Sequence, residues 1–358
     1  MKKFILNSRI FMQLAFCFAI VFSGCKKADV QPVVPGTAPV TDLVKGGGPP
    51  VTSGPAKPLV TGLVELQGST VGPGNDLYVT APLDGSIWRV NPKTGDFTLF
   101  TTGLPKRNPD PFFLGAGVID VVFRGSTAYA LVTGVGSDLG EHDIVGIYRV
   151  DGPDSHTIMV DIGAWSIDHP PVPDFFVPTG FQYSFEAYKD GFIVTDGHHN
   201  RVLYVTLDGN ITEMVTFGNV VPTGLEQRGN TIYLTQAGPI PHLPGNAKLF
   251  SLSSNGTATE LASAAGLGVG LFVDVEFGPA NTLYTLAQGI WDGPYEGAPA
   301  LPNTGALLVL KPDGKFSVIV DGLNQPTSLE FIGNKAYVVN LVGEVWEIDL
   351  VSNPSDGH

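Results

Sequence analysis

Cysteine is scarce in this sequence: the 358 residues include only Cys17 and Cys25. Both lie near the N-terminus, so the rest of the chain has no thiol with which to form a disulfide or a cysteine-based zinc site. A domain built from the remaining residues must therefore be held together by its hydrophobic core, and roughly 300 residues are enough to bury one.

Long hydrophobic runs and basic clusters are missing as well. The apolar stretch Ile10–Phe22 is much shorter than the ~20 residues that a membrane-spanning helix needs. Lysine and arginine number 20 against 34 acidic residues, a net charge of −14, and no basic patch is visible, which excludes nucleic acid as a partner. The sequence also lacks a nucleotide-binding glycine motif, a Gly-x-Ser-x-Gly elbow and a His-Glu-x-x-His pair, so those catalytic classes are excluded too.

The N-terminus has the pattern of a bacterial lipoprotein signal. Three basic residues precede the apolar stretch, which ends in Phe22-Ser23-Gly24-Cys25. This pattern predicts a signal peptide over residues 1–24, whose removal leaves Cys25 as a lipidated N-terminus; the alternative is an ordinary signal peptide and a free Cys25 thiol. Lys26 follows the cysteine, which favours retention at the outer membrane by analogy with other lipoproteins. The mature chain would carry a net charge of −17.

The rest of the chain divides into three parts. Residues 25–56 are rich in Pro, Gly, Val and Thr without any periodicity, which predicts a disordered tether. Residues 57–350 form the expected domain, which we expect to be monomeric, and residues 351–358 form a disordered tail.

An internal repeat dominates the domain. Six short apolar segments with similar sequences recur along the chain: Leu77–Val79, Ala128–Ala130, Phe192–Val194, Ile232–Leu234, Leu283–Thr285 and Ala336–Val338. Each has an apolar strand before it and another after it, and hairpin signals such as Asp208-Gly209 and Asp313-Gly314 follow. Four antiparallel strands repeated six times predict an all-β fold, a six-bladed β-propeller with four-stranded blades.

The sixth repeat lacks its fourth strand. Leu59–Leu63 resembles the fourth-strand endings of the first and fifth repeats, at Leu99–Leu104 and Ile319–Leu323. We therefore predict that this N-terminal strand pairs with the last blade and closes the ring, because an unpaired edge would leave a row of backbone groups without partners. A seven-bladed or open arrangement is the alternative.

Several loop sequences resemble one family. Val177–Gly180, Val221–Gly224, the run Asp196-Gly197-His198-His199-Asn200 and the stretch Gly238–Ala247 are similar to the ScyD/ScyE family, over essentially the whole domain. NHL-type and SMP-30/gluconolactonase propellers share the same repeat of four strands per blade. The resemblance implies an exported six-bladed propeller and supplies no catalytic mechanism. The segment Asp168–Asp174 departs from the family's pattern, which puts any function of that loop in doubt.

Propellers place ligands at the mouth of the central channel, where the innermost strands converge. Aligning the first strand of each repeat puts six residues at one position: Glu65, Asp120, Gly180, Gly224, Asp274 and Ser328. Converging carboxylates repel unless they are neutralised, so Glu65, Asp120 and Asp274 are candidates to hold a divalent cation such as Ca²⁺. The alternative is that these side chains cap strand ends. The SMP-30 resemblance implies an axial metal of this kind in the lactonases.

Two loops carry further candidates. Asp196, His198, His199 and Asn200 follow a buried strand, as catalytic or metal-binding loops often do. Adjacent side chains on an extended chain diverge, however, which favours a polar loop in which Asp196 and Asn200 bond the backbone. The long connection before the third blade, with Phe175 and Phe176, is interpreted as a packed loop, or alternatively as a lid over the channel.

Two classes of function remain open from the sequence. The first is a lipid-anchored binding or scaffolding module that presents a propeller face to a protein, a glycan or a small molecule. The second is a calcium-dependent hydrolase resembling the lactonase propellers. The first is preferred because a fold alone does not supply a function, and no complete catalytic set can be identified.

Overall fold

The computed structural model describes residues 51–109, 115–293 and 297–352. The predicted signal segment, Cys25, the predicted tether up to residue 50 and residues 353–358 of the predicted tail lie outside the described residues. Within the described ranges no helix is long and apolar enough to span a membrane.

Each of the six repeats forms one antiparallel sheet, and the predicted six-bladed propeller is confirmed. The innermost strands are β3 (Ser69–Val71), β7 (Gly117–Arg124), β11 (Gln182–Tyr188), β15 (Pro222–Arg228), β19 (Gly270–Phe277) and β23 (Pro326–Ile332). The second strands carry the repeated apolar signature: β4 (Leu77–Ala81), β8 (Thr127–Thr133), β12 (Gly191–Asp196), β16 (Thr231–Gln236), β20 (Leu283–Gly289) and β24 (Lys335–Asn340).

The outer half of each blade is built in the same way. The third strands are β5 (Ser86–Val90), β9 (Gly146–Gly152), β13 (Arg201–Thr206), β17 (Lys248–Ser253), β21 (Gly305–Leu310) and β25 (Val345–Ser352). The fourth strands of the first five blades are β6 (Phe97–Thr101), β10 (Ser155–Asp161), β14 (Ile211–Thr216), β18 (Ala258–Ser263) and β22 (Phe316–Leu323). The helical elements are α1 (Ile162–Asp168) and 3-10 turns at Pro73–Asn75, Ser137–Leu139 and Pro279–Asn281.

The ring closes through the N-terminal segment, as predicted. Strand β2 (Lys57–Val60) pairs antiparallel with the first half of β25, where Pro58 lies opposite Trp346. Pro58 fits there because an edge position does not require a backbone donor.

A second N-terminal strand extends the closure. Strand β1 (Val51–Ser53) pairs with the second half of β25, with Val51 opposite Ser352. Within the described residues the strands thus run from Val51 to Ser352, beyond the expected bounds of 57 and 350. A three-residue strand flanked by proline and glycine carries little periodicity of its own, and its partner lies 300 residues away in the sequence.

The core lies between blades rather than in one central mass. Six clusters of buried apolar side chains each join two neighbouring blades. The cluster at the closing seam contains Val60, Leu63, Leu77, Tyr337 and Val345, so both ends of the chain contribute to it. The axis of the ring is left as a narrow channel lined by the innermost strands.

Candidate functional site

The innermost strands bring a different set of residues to the axis from the one that sequence alignment predicts. Asp120, Asp274 and Ser328 do occupy equivalent places, opposite Leu131, Leu286 and Val339 of their second strands. In the first blade the equivalent residue is Gly68, whose N–H donates to Thr80 Oγ1, and in the third it is Ser184, whose N–H donates to Thr195 Oγ1. These two threonines hold the second-strand position that Leu131, Leu286 and Val339 hold in the second, fifth and sixth blades.

The predicted alignment of Glu65 and Gly180 is therefore wrong. Both residues precede their inner strands, which begin at Ser69 and Gln182. Register shifts interrupt the inner strands of blades two to six, so an ungapped alignment of the repeats slips by several residues.

Glu65 is used in an ion pair rather than in a shared acidic site. Its two carboxylate oxygens accept hydrogen bonds of 2.6 Å each from Nε and Nη2 of Arg107, and both side chains are largely buried. This bidentate geometry satisfies the charge of Glu65 locally. The three predicted metal ligands Glu65, Asp120 and Asp274 thus do not form one group of the kind that could hold an ion.

Asp120 and Asp274 connect neighbouring blades. Asp120 accepts the backbone N–H of Val121 at 2.9 Å in its own blade and that of Phe185 at 3.0 Å in the next. Asp274 does the same, accepting Val275 N–H at 2.9 Å and Leu329 N–H at 2.7 Å. The alternative considered from the sequence, that these carboxylates bond strand backbone, describes their geometry.

A glycine of the preceding blade lies against each aspartate, on the side opposite these hydrogen bonds. A Cβ on Gly224 would lie 2.5 Å from Asp274 Cα and 2.7 Å from the carbonyl oxygen of Val273. Gly68 stands in the same relation to Asp120. The inner strands of neighbouring blades therefore approach so closely at these two seams that a side chain would force them apart.

The two aspartates are held as weak acids. Burial raises the pKa of Asp120 to about 8, against the lowering effect of its two backbone hydrogen bonds. Burial likewise raises the pKa of Asp274 to about 7, again opposed by its backbone donors. Both carboxyl groups consequently titrate near neutral pH.

A ring of glutamates, which was not predicted from the sequence, lies two residues further along the inner strands. Glu186, Glu226, Glu276 and Glu330 come from the third to the sixth blade. Burial raises the pKa of all four, to about 7 for Glu226, and the neighbouring carboxylates add to the effect. The detectable signal was a glutamate directly after an apolar residue at one position of four consecutive repeats.

Three of these glutamates fit a metal ion. One carboxylate oxygen each from Glu186, Glu226 and Glu276 lies within 4.8 Å of the others. Ligands of a Ca²⁺ ion lie 2.3–2.6 Å from it, so oxygens with this separation can share one such ion. This is the group that could hold the hard cation expected from the sequence, with the ligands moved from the predicted residues to these three.

The channel opens at one end into a pocket of about 140 Å³. Its walls are mostly apolar and come from several blades, including Phe175, Phe176, Phe181, His198 and Leu271. We call this cavity the mouth pocket. An apolar cavity at the axis of a ring, with a few polar groups, is typical of small-molecule sites.

A constriction separates the mouth pocket from the channel below it. Gln67, Tyr183 and Val273 line both the mouth pocket and a lower cavity of about 20 Å³, which we call the lower channel. The lower channel is also lined by Asp120 and Asp274, together with Glu186, Glu276 and several serines. Tyr183 reaches from the third blade to the apolar cluster between the fifth and sixth blades.

Two polar atoms at this constriction have no hydrogen-bond partner among the described residues. They are Oε1 of Gln67, a residue only 7% exposed, and the hydroxyl of Tyr183. A buried polar atom without a partner costs about 1–3 kcal/mol of stability, so natural proteins rarely retain one without a use.

The Asp196–Asn200 loop is a polar network in which Asn200 bonds the backbone, as the favoured interpretation predicted, whereas Asp196 bonds side chains. Asn200 Oδ1 accepts the backbone N–H groups of Val220 and Val221 at 2.8 and 2.9 Å. Asp196 accepts a hydrogen bond of 2.9 Å from Nε of the buried Arg201, a partner that was not predicted from the sequence.

The two histidines of this loop diverge. His199 is buried, with Nδ1 3.0 Å from Asp196 Oδ2 and Nε2 3.1 Å from the carbonyl oxygen of Val177. His198 lines the mouth pocket instead and stacks on Phe175, with ring centroids 4.9 Å apart and planes within 4°. The two imidazoles therefore cannot act on one atom together.

The long connection before the third blade serves as both wall and packing. Asp161 caps α1 by accepting the N–H of Ala164 at 2.7 Å, and His169 stacks on Trp165. Phe175 and Phe176 further along line the mouth pocket, and Phe176 is 58% exposed. The packed loop expected from the sequence describes the part around α1, and the alternative of a cover at the channel describes the part with Phe175 and Phe176.

A larger hollow of about 760 Å³ lies between the first and second blades. It is open to solvent, and charged residues such as Lys106, Glu141 and Asp143 line it. It shares no lining residue with the mouth pocket or the lower channel, and it lacks the enclosed apolar walls of a ligand site.

Comparison with known proteins places the fold among six-bladed propellers. No protein-family model matches the sequence, and no curated protein sequence matches it. A gluconolactonase from Xanthomonas campestris is 12% identical, with a TM-score of 0.57 over 85% of this chain and 98% of that one. The PQQ-bound aldose sugar dehydrogenase of Streptomyces coelicolor is 12% identical, with a TM-score of 0.56 over 85% and 100% of the two chains.

A lyase has the same architecture. Virginiamycin B lyase from Staphylococcus aureus is 13% identical, with a TM-score of 0.51 over 84% of this chain and all of that one. At these identities the similarity establishes the shared propeller fold and nothing about chemistry.

Proposed function

We propose that this chain is a small-molecule-binding propeller whose ligand occupies the mouth pocket. One observation carries the proposal: an apolar cavity on the axis has unpartnered polar atoms, Gln67 Oε1 and the Tyr183 hydroxyl, at its base. Apolar walls supply affinity through burial, and buried polar groups supply orientation. This is the binding module expected from the sequence, with the ligand class narrowed to a small organic molecule.

The test is direct binding of a neutral aromatic probe to the full chain. Phenethyl alcohol should show saturation transfer in ligand-observed NMR, with an affinity that falls several-fold in Phe176→Ala. Phe176 is largely exposed, so its truncation should not unfold the domain. Phe97→Ala removes another partly exposed phenylalanine, 39% exposed on the outer strand β6, and should leave binding unchanged. No transfer to the unaltered chain, or equal losses in both variants, would refute the proposal.

We also propose that the propeller is held at the cell envelope through lipid on Cys25. The motif Phe22-Ser23-Gly24-Cys25 after a short apolar stretch supports this. The unaltered chain should partition with the membrane fraction of a bacterial host, and Cys25→Ser should appear in the soluble fraction. Equal membrane association of the two would contradict lipid anchoring.

Metal-dependent lactone hydrolysis is the second candidate. The glutamates Glu186, Glu226 and Glu276 support it, because their oxygens are spaced to share a hard cation, which would act as a Lewis acid on a carbonyl. The protein's own contribution would be to hold the ion and to exclude water beyond the constriction.

The second candidate predicts stoichiometric calcium in the purified protein and turnover of simple lactones. Both should be lost in Glu226→Gln, whereas Glu213→Gln, on the outer strand β14, should retain them. Calcium without turnover would leave a structural metal, and neither calcium nor turnover would eliminate this candidate.

A further inference from the structure

The two connected cavities differ sharply in chemistry. The mouth pocket is walled by aromatic and aliphatic side chains, whereas the lower channel is lined by four carboxyl groups: Asp120, Asp274, Glu186 and Glu276. No lysine or arginine lines either cavity among the described residues. A ligand that fills both must therefore be apolar at one end and complementary to acceptors and negative charge at the other.

The constriction contains a hydrogen-bond acceptor that lacks a donor. Gln67 is only 7% exposed, and its buried Oε1 is an acceptor without a partner among the described residues. Gln67 lines both cavities, so its carboxamide lies where the apolar pocket meets the acidic channel. A ligand group that donates N–H there would satisfy this oxygen on its way to the carboxylates below.

The size of the lower channel limits that group. A volume of about 20 Å³ has room for something the size of one water molecule or one ammonium group. A ring or a carboxylate does not fit, and a carboxylate would also meet only like charge. The larger mouth pocket can take the remainder of the molecule.

We propose that the ligand is a primary amine with an aromatic or branched apolar body, bound with its body in the mouth pocket and its ammonium group between Gln67 and the carboxylates Asp120 and Asp274. This inference rests on the proposed function, since it names the class of ligand for the same cavity. An ammonium carries three donors and no acceptor, which matches an acceptor amide above a set of carboxylates. A bare divalent ion would use the carboxylates but would leave the aromatic walls without a role.

The experiment compares three probes of nearly equal shape on the full chain: phenethylamine, phenethyl alcohol and phenylacetate. Isothermal titration at about pH 9, above the pKa of Asp120, uses the ionised form of its carboxyl group. A salt concentration of 150 mM suppresses non-specific attraction to the acidic surface. The amine should bind about tenfold more tightly than the alcohol, as a charge-assisted hydrogen bond exceeds a neutral one. Phenylacetate should bind more weakly than the alcohol.

Two variants locate the ammonium. Gln67→Leu keeps the size of the side chain and removes the acceptor, so it should erase most of the preference for the amine while leaving the affinity for the alcohol within about twofold. Phe176→Ala should weaken amine and alcohol by the same factor, since it touches only the body. Thermal melting of each variant confirms that it is folded.

The outcomes separate the two proposals. Equal affinity for amine and alcohol, or an amine preference that survives Gln67→Leu in a folded protein, would overturn the inference and leave the proposed function standing. Failure of all three probes to bind would overturn both. Displacement of the bound amine by calcium chloride alone, with no loss in Gln67→Leu, would show that the lower channel is a metal site and would also overturn the inference.

Discussion

The weakly acidic aspartate at the seam between the second and third blades should make the propeller more stable in mild acid than at neutral pH. The pKa of Asp120 is about 8 in the folded chain, whereas an unfolded aspartate has a pKa of about 3.9. Between these values the folded state keeps a proton that the unfolded state has released. The free energy of unfolding therefore falls as pH rises, by about 1.4 kcal/mol per pH unit for this group.

The variant Asp120→Asn isolates this contribution. Asparagine has one acceptor oxygen, so it loses either the Val121 or the Phe185 hydrogen bond and costs about 1–3 kcal/mol at pH 5. It has no proton to release. The unfolding free energy of the unaltered chain minus that of the variant should therefore fall by about 3 kcal/mol from pH 5 to pH 7, so that the variant becomes at least as stable as the unaltered chain. It should level off above pH 8, where folded and unfolded Asp120 are both ionised.

The assay is urea unfolding followed by tryptophan fluorescence at pH 5, 6, 7 and 8. Asp313→Asn is the matched control, because it makes the same change of charge in an exposed hairpin turn. The control should leave the pH dependence of the unaltered chain in place. A difference between the unaltered chain and Asp120→Asn that stays constant from pH 5 to 8, or grows in favour of the unaltered chain, would contradict a raised pKa for Asp120.

Three further predictions follow from the seams and the buried network. Gly224→Ala should lower stability by about 1–3 kcal/mol in thermal melting, because the new methyl group would overlap the backbone of Asp274; a melting temperature equal to that of Gly54→Ala, where a Cβ would make only ordinary contacts, would contradict this. Arg201→Leu should cost about 3–5 kcal/mol, since it leaves the buried Asp196 carboxylate without its partner, and a loss below 1 kcal/mol in urea unfolding would be too small for a buried pair. A chain shortened to begin after Leu63 should melt far below one that begins at Val51, and equal melting temperatures would show that β1 and β2 do not stabilise the ring.

Much of the fold follows from the sequence because each blade repeats one local pattern. The signature strands, such as Leu77–Val79, are apolar on both faces, which identifies them as buried strands without knowledge of their neighbours. The closing strand was found because Leu59–Leu63 resembles other fourth strands. Strand β1 was not found, since Val51–Ser53 takes its conformation from β25 at the other end of the chain.

The site was less accessible to sequence reasoning because it depends on register. A single bulge moves every later residue of an inner strand relative to the axis, and most of the inner strands carry one. Asp120 and Asp274 were placed at equivalent positions, and the interpretation that they bond strand backbone describes them, but the sequence did not show that these bonds join neighbouring blades. Gln67 carries no charge and belongs to no motif, so its burial beside the axis could not be predicted from the sequence.

In the polar loop after β12, the directions of the two histidines could be predicted from the sequence but an ion pair could not. The divergence of His198 and His199 follows from the geometry of an extended chain, and the structure agrees. The ion pair of Asp196 with Arg201 depends on a tight turn that brings two strand ends together, and the sequence indicates the turn without indicating the pair.

The route by which the chain reaches the ring has a mechanical consequence. The N-terminal segment leads directly into β1 and β2, the strands that complete the sixth blade. If that segment is anchored, a force applied to it acts first on the hydrogen bonds that join β1 and β2 to β25, before it reaches the other sheets. The strand pairs that close the ring are thus also the first that tension would break. Force on the domain would separate β1 and β2 from β25 and open the ring between its first and last blades.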